Sequence, residues 1–162
     1  MSHDLVGFVT VTPAEIPPEE FRQNIMALQD TMMSMTDDQI ELPLKHHFAP
    51  GAYARECFVP AGSTVVGKIH RHAHINIISR GHGVVATEFG RMEYDARQGP
   101  YTFTSLPGTK RAVHALSDTI WTTFHVTEAT TPEAAEIDVI VPSYEALEAE
   151  KPPVQLEFEG FN

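Results

Sequence analysis

Cysteine is almost absent from this sequence, in which Cys57 is the single thiol among 162 residues. A lone cysteine excludes an intrachain disulfide and a metal cluster built on thiolates. Long hydrophobic runs are also missing, and the first residues contain neither the basic nor the apolar stretch of a signal peptide. We therefore expect a protein without membrane insertion that resides in a reducing compartment, or in a particle assembled there, and is not exported by a signal peptide.

Basic residues are few: 11 lysines and arginines stand against 22 aspartates and glutamates, and the formal net charge is -11. Such a molecule repels phosphate backbones and anionic lipid surfaces, so we expect no nucleic-acid partner. Nine of the eleven basic residues nevertheless lie between Lys45 and Arg111, where only four acids occur. This middle segment is locally positive and favours a small anionic ligand.

The chain length fits one domain, and changes of pattern divide it into three parts. Residues 1–44 form an N-terminal extension with an amphipathic helix, 45–127 a β-rich barrel, and 128–162 an acidic C-terminal cap and tail. Apolar residues spaced by three or four positions define the helix: Phe21, Ile25, Leu28, Met32 and Met35. This apolar stripe either packs on the domain or binds a partner.

The middle part consists of short β-branched and aromatic runs separated by glycine, proline and aspartate, which is typical of strands joined by tight turns. The predicted strands are Arg55–Val59, Thr64–Val66, Ile69–Asn76, Val84–Phe89, Met92–Ala96, Tyr101–Ser105, Arg111–Leu116 and Ile120–Val126. Two short helices should follow, the first capped by Thr131 and the second spanning Ser143 to Glu150. The pattern therefore predicts an all-β core, an antiparallel sandwich or small barrel, flanked by helices.

Histidines alternate in one predicted strand, because His70, His72 and His74 all lie within Ile69–Asn76. Alternate residues of a strand point to the same face of the sheet. Facing inward, such imidazoles could converge on a metal ion, whereas facing outward they would form a solvated polar surface. The spacing alone leaves both alternatives open.

The spacing of five residues in this region resembles the first sequence motif of the cupin superfamily. Gly62, Lys68, His70, His74 and Gly81 stand where that family has glycine, histidine, histidine, glutamate and glycine. The spacing agrees at every step, but lysine replaces the first histidine of the motif and histidine replaces its glutamate.

The second cupin motif resembles Gly99 through Pro107 and Gly108, and the third metal histidine of the family falls near Arg111. The resemblance covers about residues 53–127. It implies a cupin-like double-stranded β-helix, a small antiparallel barrel, with an N-terminal helix and short C-terminal helices. It also implies a homo-oligomer.

Segments 46–56, 67–70 and 107–111 further resemble small cupin-like proteins encoded by tailed bacteriophages. This likeness implies a phage protein of the host cytoplasm or the virion, and phage structural proteins as partners. It implies no activity.

The replaced residues suggest two kinds of site. Lys68 and Arg111 bring two cations and His74 removes the carboxylate, which disfavours a divalent cation and suits an anion. On this interpretation, the ligand-binding residues are Lys68, His72, Arg111, Trp121 and His125. On the other, a metal such as Fe, Mn, Ni or Zn is bound by His70, His74 and His114, with His125 as an alternative third ligand.

Each candidate also has a structural explanation. Lys68 could lie at the barrel rim, Arg111 could pair with Glu56 or Glu88, and His74 could be a hydrogen-bonded core residue. Trp121 and His125 share one face of a strand, which could be interior or exterior. Three further histidines fall in predicted loops: His46, His47 and His82.

Two functions follow from these alternatives. The first is a non-enzymatic binding or assembly module, either a virion component or a binder of a small anion. The second is a small metal-dependent enzyme, an oxygenase, isomerase or epimerase, that acts on an anionic substrate.

Overall fold

The computed structural model of the protein describes residues 8–151. In this range the chain forms α1 (Pro18–Ser34), α2 (Pro132–Val139) and α3 (Tyr144–Glu150). The strands are β1 (Phe8–Pro13), β2 (Leu44–Ala49), β3 (Ala52–Val59), β4 (Thr64–Val66), β5 (Ile69–His70), β6 (His74–Arg80), β7 (His82–Thr87), β8 (Gly90–Asp95), β9 (Tyr101–Ser105), β10 (Ala112–Ala115), β11 (Thr119–Val126) and β12 (Ile140–Val141). No helix among these residues is both long and apolar enough to cross a bilayer.

The strands form two five-stranded sheets and one small sheet, and all pairs are antiparallel. Sheet 1 has the order β1-β8-β7-β10-β4, sheet 2 has the order β2-β3-β11-β6-β9, and sheet 3 pairs β12 with β5. The predicted all-β core of antiparallel strands, with an N-terminal helix and short C-terminal helices, is therefore confirmed. Within residues 8–151 neither five-stranded sheet closes on itself, so the core is a sandwich rather than a closed barrel.

The hydrophobic core lies between sheets 1 and 2. Ile78 and Trp121 come from sheet 2, and Val85, Tyr94 and Val113 come from sheet 1. The Tyr94 ring meets the Trp121 ring edge-on with 5.9 Å between centroids, a geometry that aromatic quadrupoles favour. This packing fixes one face of Trp121, and the cavity described below lies beside it.

Helix α1 confirms the predicted amphipathic helix, with a proline and two acids in its first turn. Arg22 of this helix donates from Nε to Glu88 Oε2 at 2.9 Å, and its guanidinium lies 4.5 Å from the Tyr144 ring centroid. Ile25 is buried, whereas Leu28 and Met35 are exposed. Only part of the apolar stripe therefore packs on the domain.

The extension and the cap both join the core. Strand β1 pairs with β8 at the edge of sheet 1, and β12 pairs with β5. Thr131 Oγ1 accepts from the Ala134 amide at 3.3 Å, so the predicted cap begins its helix. Ser143 Oγ accepts from the Ala146 amide at 3.0 Å, so the residue predicted to start the last helix is its N-cap. The predicted tail beyond Lys151 lies outside the described residues.

The predicted strand Ile69–Asn76 is wrong in one respect, because it is two strands separated at residues 71–73. Arg71 donates from its backbone amide to Val139 O at 2.8 Å and from Nη1 to Ile137 O at 2.9 Å, so the chain bends toward α2. The interruption changes the alternation: His74 is buried, but His72 is exposed at the bend.

Three histidines predicted in loops lie in strands. His46 and His47 belong to β2, an edge strand in which all six residues are exposed, and His82 begins β7. Because β2 buries no alternating face, its sequence carries no period of two. Gly81 does occupy the predicted turn, with a φ of 99° that favours glycine.

Candidate anion-binding site

A cavity of about 430 Å³ opens between β3, β11 and α2. Alternate residues of β3 line it, among them Tyr53 and Arg55, and so do Trp121 and His125 of β11. Both β11 residues are buried, so the face that they share is interior. The remaining charged or imidazole groups in the lining are His46, Lys68, His70, Arg111, Glu133 and Glu136.

The guanidinium of Arg111 is held at the wall of this cavity and is only 7% exposed. Nη1 donates to Asn76 Oδ1 at 2.8 Å and Nη2 donates to Ser105 Oγ at 2.5 Å. Asn76 Oδ1 also accepts from Trp121 Nε1 at 3.0 Å, and the Trp121 ring lies 5.2 Å from the guanidinium carbon. These neutral contacts orient Arg111 without neutralising its charge.

No carboxylate forms an ion pair with Arg111 among residues 8–151. The two acids considered from the sequence are engaged elsewhere, because Glu88 binds Arg22 and Glu56 lies 3.5 Å from Lys45. Burial lowers the pKa of Arg111 to about 10, which leaves it charged at neutral pH. A buried charge without a counterion is unfavourable, so this wall of the cavity is a place where an anion would be stabilised.

Three imidazoles lie together beside Arg111. The ring centroids of His70 and His74 are 4.1 Å apart, those of His74 and His125 are 4.9 Å apart, and those of His70 and His125 are 5.3 Å apart. They come from β5, β6 and β11, so this cluster depends on the fold and not on one strand.

All three imidazoles are neutral at pH 7. Burial, followed by nearby His74 and Arg111, lowers the pKa of His70 to about 2. Burial, followed by Arg111, lowers the pKa of His74 to about 4, and burial, followed by Arg55 and Arg111, lowers that of His125 to about 4. A neutral imidazole has one donor and one acceptor nitrogen, and His70 Nδ1 is buried without a hydrogen-bond partner among the described residues.

The histidine cluster does not fit a divalent metal. Metal-binding lone pairs lie in the plane of each ring, and the planes of His70 and His125 differ by only 5°, so stacked rings do not aim at one point. Arg111 Nη2 lies 3.4 Å from His74 Nε2, which puts a cation where a metal would be bound. Within residues 8–151, no group of three or more His, Cys, Asp or Glu side chains is arranged to hold a metal ion.

The predicted residues separate into those that the structure brings together and those that it does not. Lys68, Arg111, Trp121 and His125 line the one cavity, and His70 and His74 belong to the histidine cluster.

His72 and His114 lie away from this group. His72 is exposed at the bend between β5 and β6 and does not line the cavity. His114 is exposed on β10, where its Nδ1 is 2.9 Å from Thr64 Oγ1, so it does not join His70 and His74. The alternation of β10 explains this, since the neighbouring Val113 is the residue that faces the core.

Lys68 lies at the mouth of the cavity and forms an ion pair with Glu136 of α2. Burial, followed by the charge of Arg55, lowers the pKa of Lys68. From the sequence, a position at the barrel rim was one of the alternatives for Lys68. In the structure Lys68 lies at the rim of the cavity and is also part of its lining.

Several residues of the site were not identified from the sequence. Asn76 and Ser105 hold Arg111, and their roles depend on pairing between β6 and β9. Tyr53 and Arg55 line the cavity, and the Tyr53 hydroxyl lies 2.7 Å from His46 Nδ1. Alternation along β3 was the available signal for Tyr53 and Arg55.

Comparisons with known proteins show similarity only at the level of structure. No family model and no curated protein sequence matches the chain. A salicylate 1,2-dioxygenase from Pseudaminobacter salicylatoxidans is similar over 74% of this chain and 35% of its own, with 12% identity and a TM-score of 0.47. The chain thus spans about a third of the length of that protein.

Two smaller proteins are also similar. A Cupin 2 conserved barrel domain protein from Salinispora arenicola matches 51% of this chain and 74% of its own, with 12% identity and a TM-score of 0.42. A cupin superfamily protein from Desulfitobacterium hafniense matches 54% of this chain and 79% of its own, with 7% identity and a TM-score of 0.44. Likeness at this level concerns the fold and carries no activity to this chain.

Proposed function

We propose that this protein is a non-enzymatic binding module for a small organic anion, and that the anion binds in the cavity against Arg111. The observation that carries the proposal is the buried guanidinium of Arg111, which has no carboxylate partner among the described residues and is oriented by Asn76 and Ser105. An anion entering the cavity supplies the missing counterion and gains charge-assisted hydrogen bonds.

The surroundings of Arg111 support a polar organic ligand. His70 and His125 are neutral groups that line the cavity and offer a donor and an acceptor each, while Tyr53 and Trp121 supply aromatic walls. Arg55 and Lys68 at the cavity favour the approach of an anion to a molecule whose net charge is -11.

The test is calorimetric titration of the protein with hexanoate and adipate. Arg111→Gln keeps a polar side chain but removes the charge, so affinity should fall at least about tenfold. Arg80→Gln, at an exposed position outside the cavity, is the matched control and should bind like the wild type. Equal affinity in the wild type and Arg111→Gln would contradict the proposal.

The enzyme alternative is tested by elemental analysis of untagged protein. Because the stacked imidazoles and Arg111 do not fit a metal, we expect no stoichiometric Fe, Mn, Ni or Zn. The contrary result is about one equivalent of metal in the wild type that is lost in both His70→Ala and His74→Ala. It would overturn this expectation and favour a metal-dependent oxygenase, isomerase or epimerase.

The likeness of several segments to phage-encoded proteins supports a phage setting for the binding module. It acts either in the host cytoplasm or as a virion component in contact with phage structural proteins. Mass spectrometry of purified virions separates these roles: a fixed copy number supports assembly, and absence from the particle supports the soluble binder.

The resemblance to cupins also supports a homo-oligomer. Light scattering coupled to size-exclusion chromatography measures the molar mass in solution. A value of 18.0 kDa at every concentration would contradict an oligomer.

A further inference from the structure

A second arginine lines the same cavity without a counterion. Arg55 lies on β3 between Tyr53 and Cys57, and alternate residues of this strand, Tyr53, Arg55 and Cys57, all line the cavity. Among residues 8–151 no hydrogen bond or ion pair engages its guanidinium. The other cation of the mouth, Lys68, is already paired with Glu136.

The register of sheet 2 puts Arg55 and the Arg111 head group on one row of the sheet. Arg55 pairs with Thr123, and Thr123 pairs with Asn76. Two strand spacings amount to about 10 Å, and Asn76 Oδ1 is the acceptor of Arg111 Nη1 at 2.8 Å. The two cations therefore flank the inner face of β11.

His125 lies on the same face of β11, two residues beyond Thr123, the residue that stands between the two cations. Apart from burial, the charges of Arg55 and Arg111 are the leading reasons that its pKa is lowered. A neutral imidazole at this place can bond to the uncharged middle of a ligand whose ends are acidic.

The acids of the lining do not neutralise this pair. Glu136 is paired with Lys68, and Glu133 lies on α2 without an ion pair among the described residues. The lining thus holds three cations against two carboxylates, and neither Arg55 nor Arg111 forms an ion pair with a carboxylate among residues 8–151. The separate position of these two unpaired guanidinium groups, and not the net charge of the cavity, therefore favours a second acidic group on the ligand.

We infer that the ligand carries two acidic groups, of which one binds Arg111 and the other binds Arg55. This inference rests on the proposed function and specifies its ligand class: an organic acid with two carboxylates, or with a carboxylate and a phosphate, joined by a short uncharged part. Arginine recognises both kinds of acidic group through the same planar fork.

The experiment compares diacids with monoacids of equal chain length. Succinate, glutarate and adipate are titrated beside butyrate, valerate and hexanoate, and phosphoglycolate is a separate probe. The wild type should bind the best diacid at least about tenfold more tightly than its matched monoacid. Phosphoglycolate binding more tightly than every dicarboxylate would support the inference and identify phosphate as one of the two groups.

Variants assign the second group to Arg55. Arg55→Gln should weaken the binding of diacids much more than that of monoacids, so that the preference for diacids is lost, and Arg55→Lys should restore part of that preference. Arg111→Gln should weaken both classes, and Arg80→Gln should change neither. Because Arg55 is exposed, its variants should keep the wild-type melting temperature.

Two results would contradict these proposals in different ways. In the first, matched diacids and monoacids bind equally well, Arg55→Gln changes neither, and Arg111→Gln abolishes both. This result would overturn the two-group ligand and leave the proposed function intact. Absence of binding for every probe, in the wild type as in Arg111→Gln, would count against both.

Discussion

At the scale of single residues, Arg111 has the largest influence on the charge of this site. It stands near the place where the resemblance to cupins implies a metal-binding histidine, and it is buried among neutral partners. On the proposed function, an arginine at this position binds an anion, whereas a histidine there would bind a metal ion. The position was identified from the sequence, but its anchors Asn76 and Ser105 were not, because their roles arise only when β6 and β9 pair.

The buried imidazoles predict a pH-dependent stability. His74 and His125 have pKa values of about 4 in the folded protein, below the ordinary value of 6.5 that applies after unfolding. The unfolded chain therefore binds more protons below pH 6.5, so stability is full above that pH and falls as the pH drops from about 6.5 toward 4.

Urea unfolding between pH 7.5 and 4.5 measures this slope. His125→Gln should flatten it, by up to about 1.4 kcal/mol for each pH unit. His114→Gln, at an exposed position, should retain the wild-type slope. A slope that is unchanged in His125→Gln would show that this imidazole does not contribute to it.

At the scale of elements, the sequence predicted most strands of the two large sheets but missed the edge strand β2. Strand β2 is exposed at all six positions, so no hydrophobic period marks it. The interruption between β5 and β6 depends on contacts of Arg71 with Ile137 and Asp138, which lie 66 and 67 positions away in the chain. Such distant contacts leave no local pattern in a single sequence.

The contacts of Arg71 also stabilise α2. Its guanidinium donates to the carbonyls of Ile137 and Asp138 and to Glu150, which fixes the last turn of α2 and the end of α3. Arg71→Ala should lower the free energy of unfolding by about 1–3 kcal/mol and speed amide hydrogen exchange in α2. Arg91→Ala, which removes an exposed pair with Glu93, should cost about 0–1 kcal/mol, and equal losses in the two variants would contradict this role.

At the scale of the whole molecule, Arg22 joins helices α1 and α3 to the core. It bonds to buried Glu88, lies over the Tyr144 ring and is 3.7 Å from Glu148 of α3. Arg22→Ala leaves the Glu88 carboxylate buried without its partner, so we expect a loss of about 2–3 kcal/mol. Chemical unfolding measures this loss, with Arg80→Ala as a control, and a loss below about 0.5 kcal/mol would show that α1 and α3 are held by other contacts.

The unpaired charge of Arg111 has a further consequence for the life of the protein in a cell. An occupant that neutralises it binds only the folded chain, and so shifts the folding equilibrium by mass action. The empty form opens more often, and transient opening is what exposes a chain to proteases. On the proposed function, the abundance of this protein should therefore rise with the concentration of the anion, so that its half-life becomes a measure of how much of that anion surrounds it.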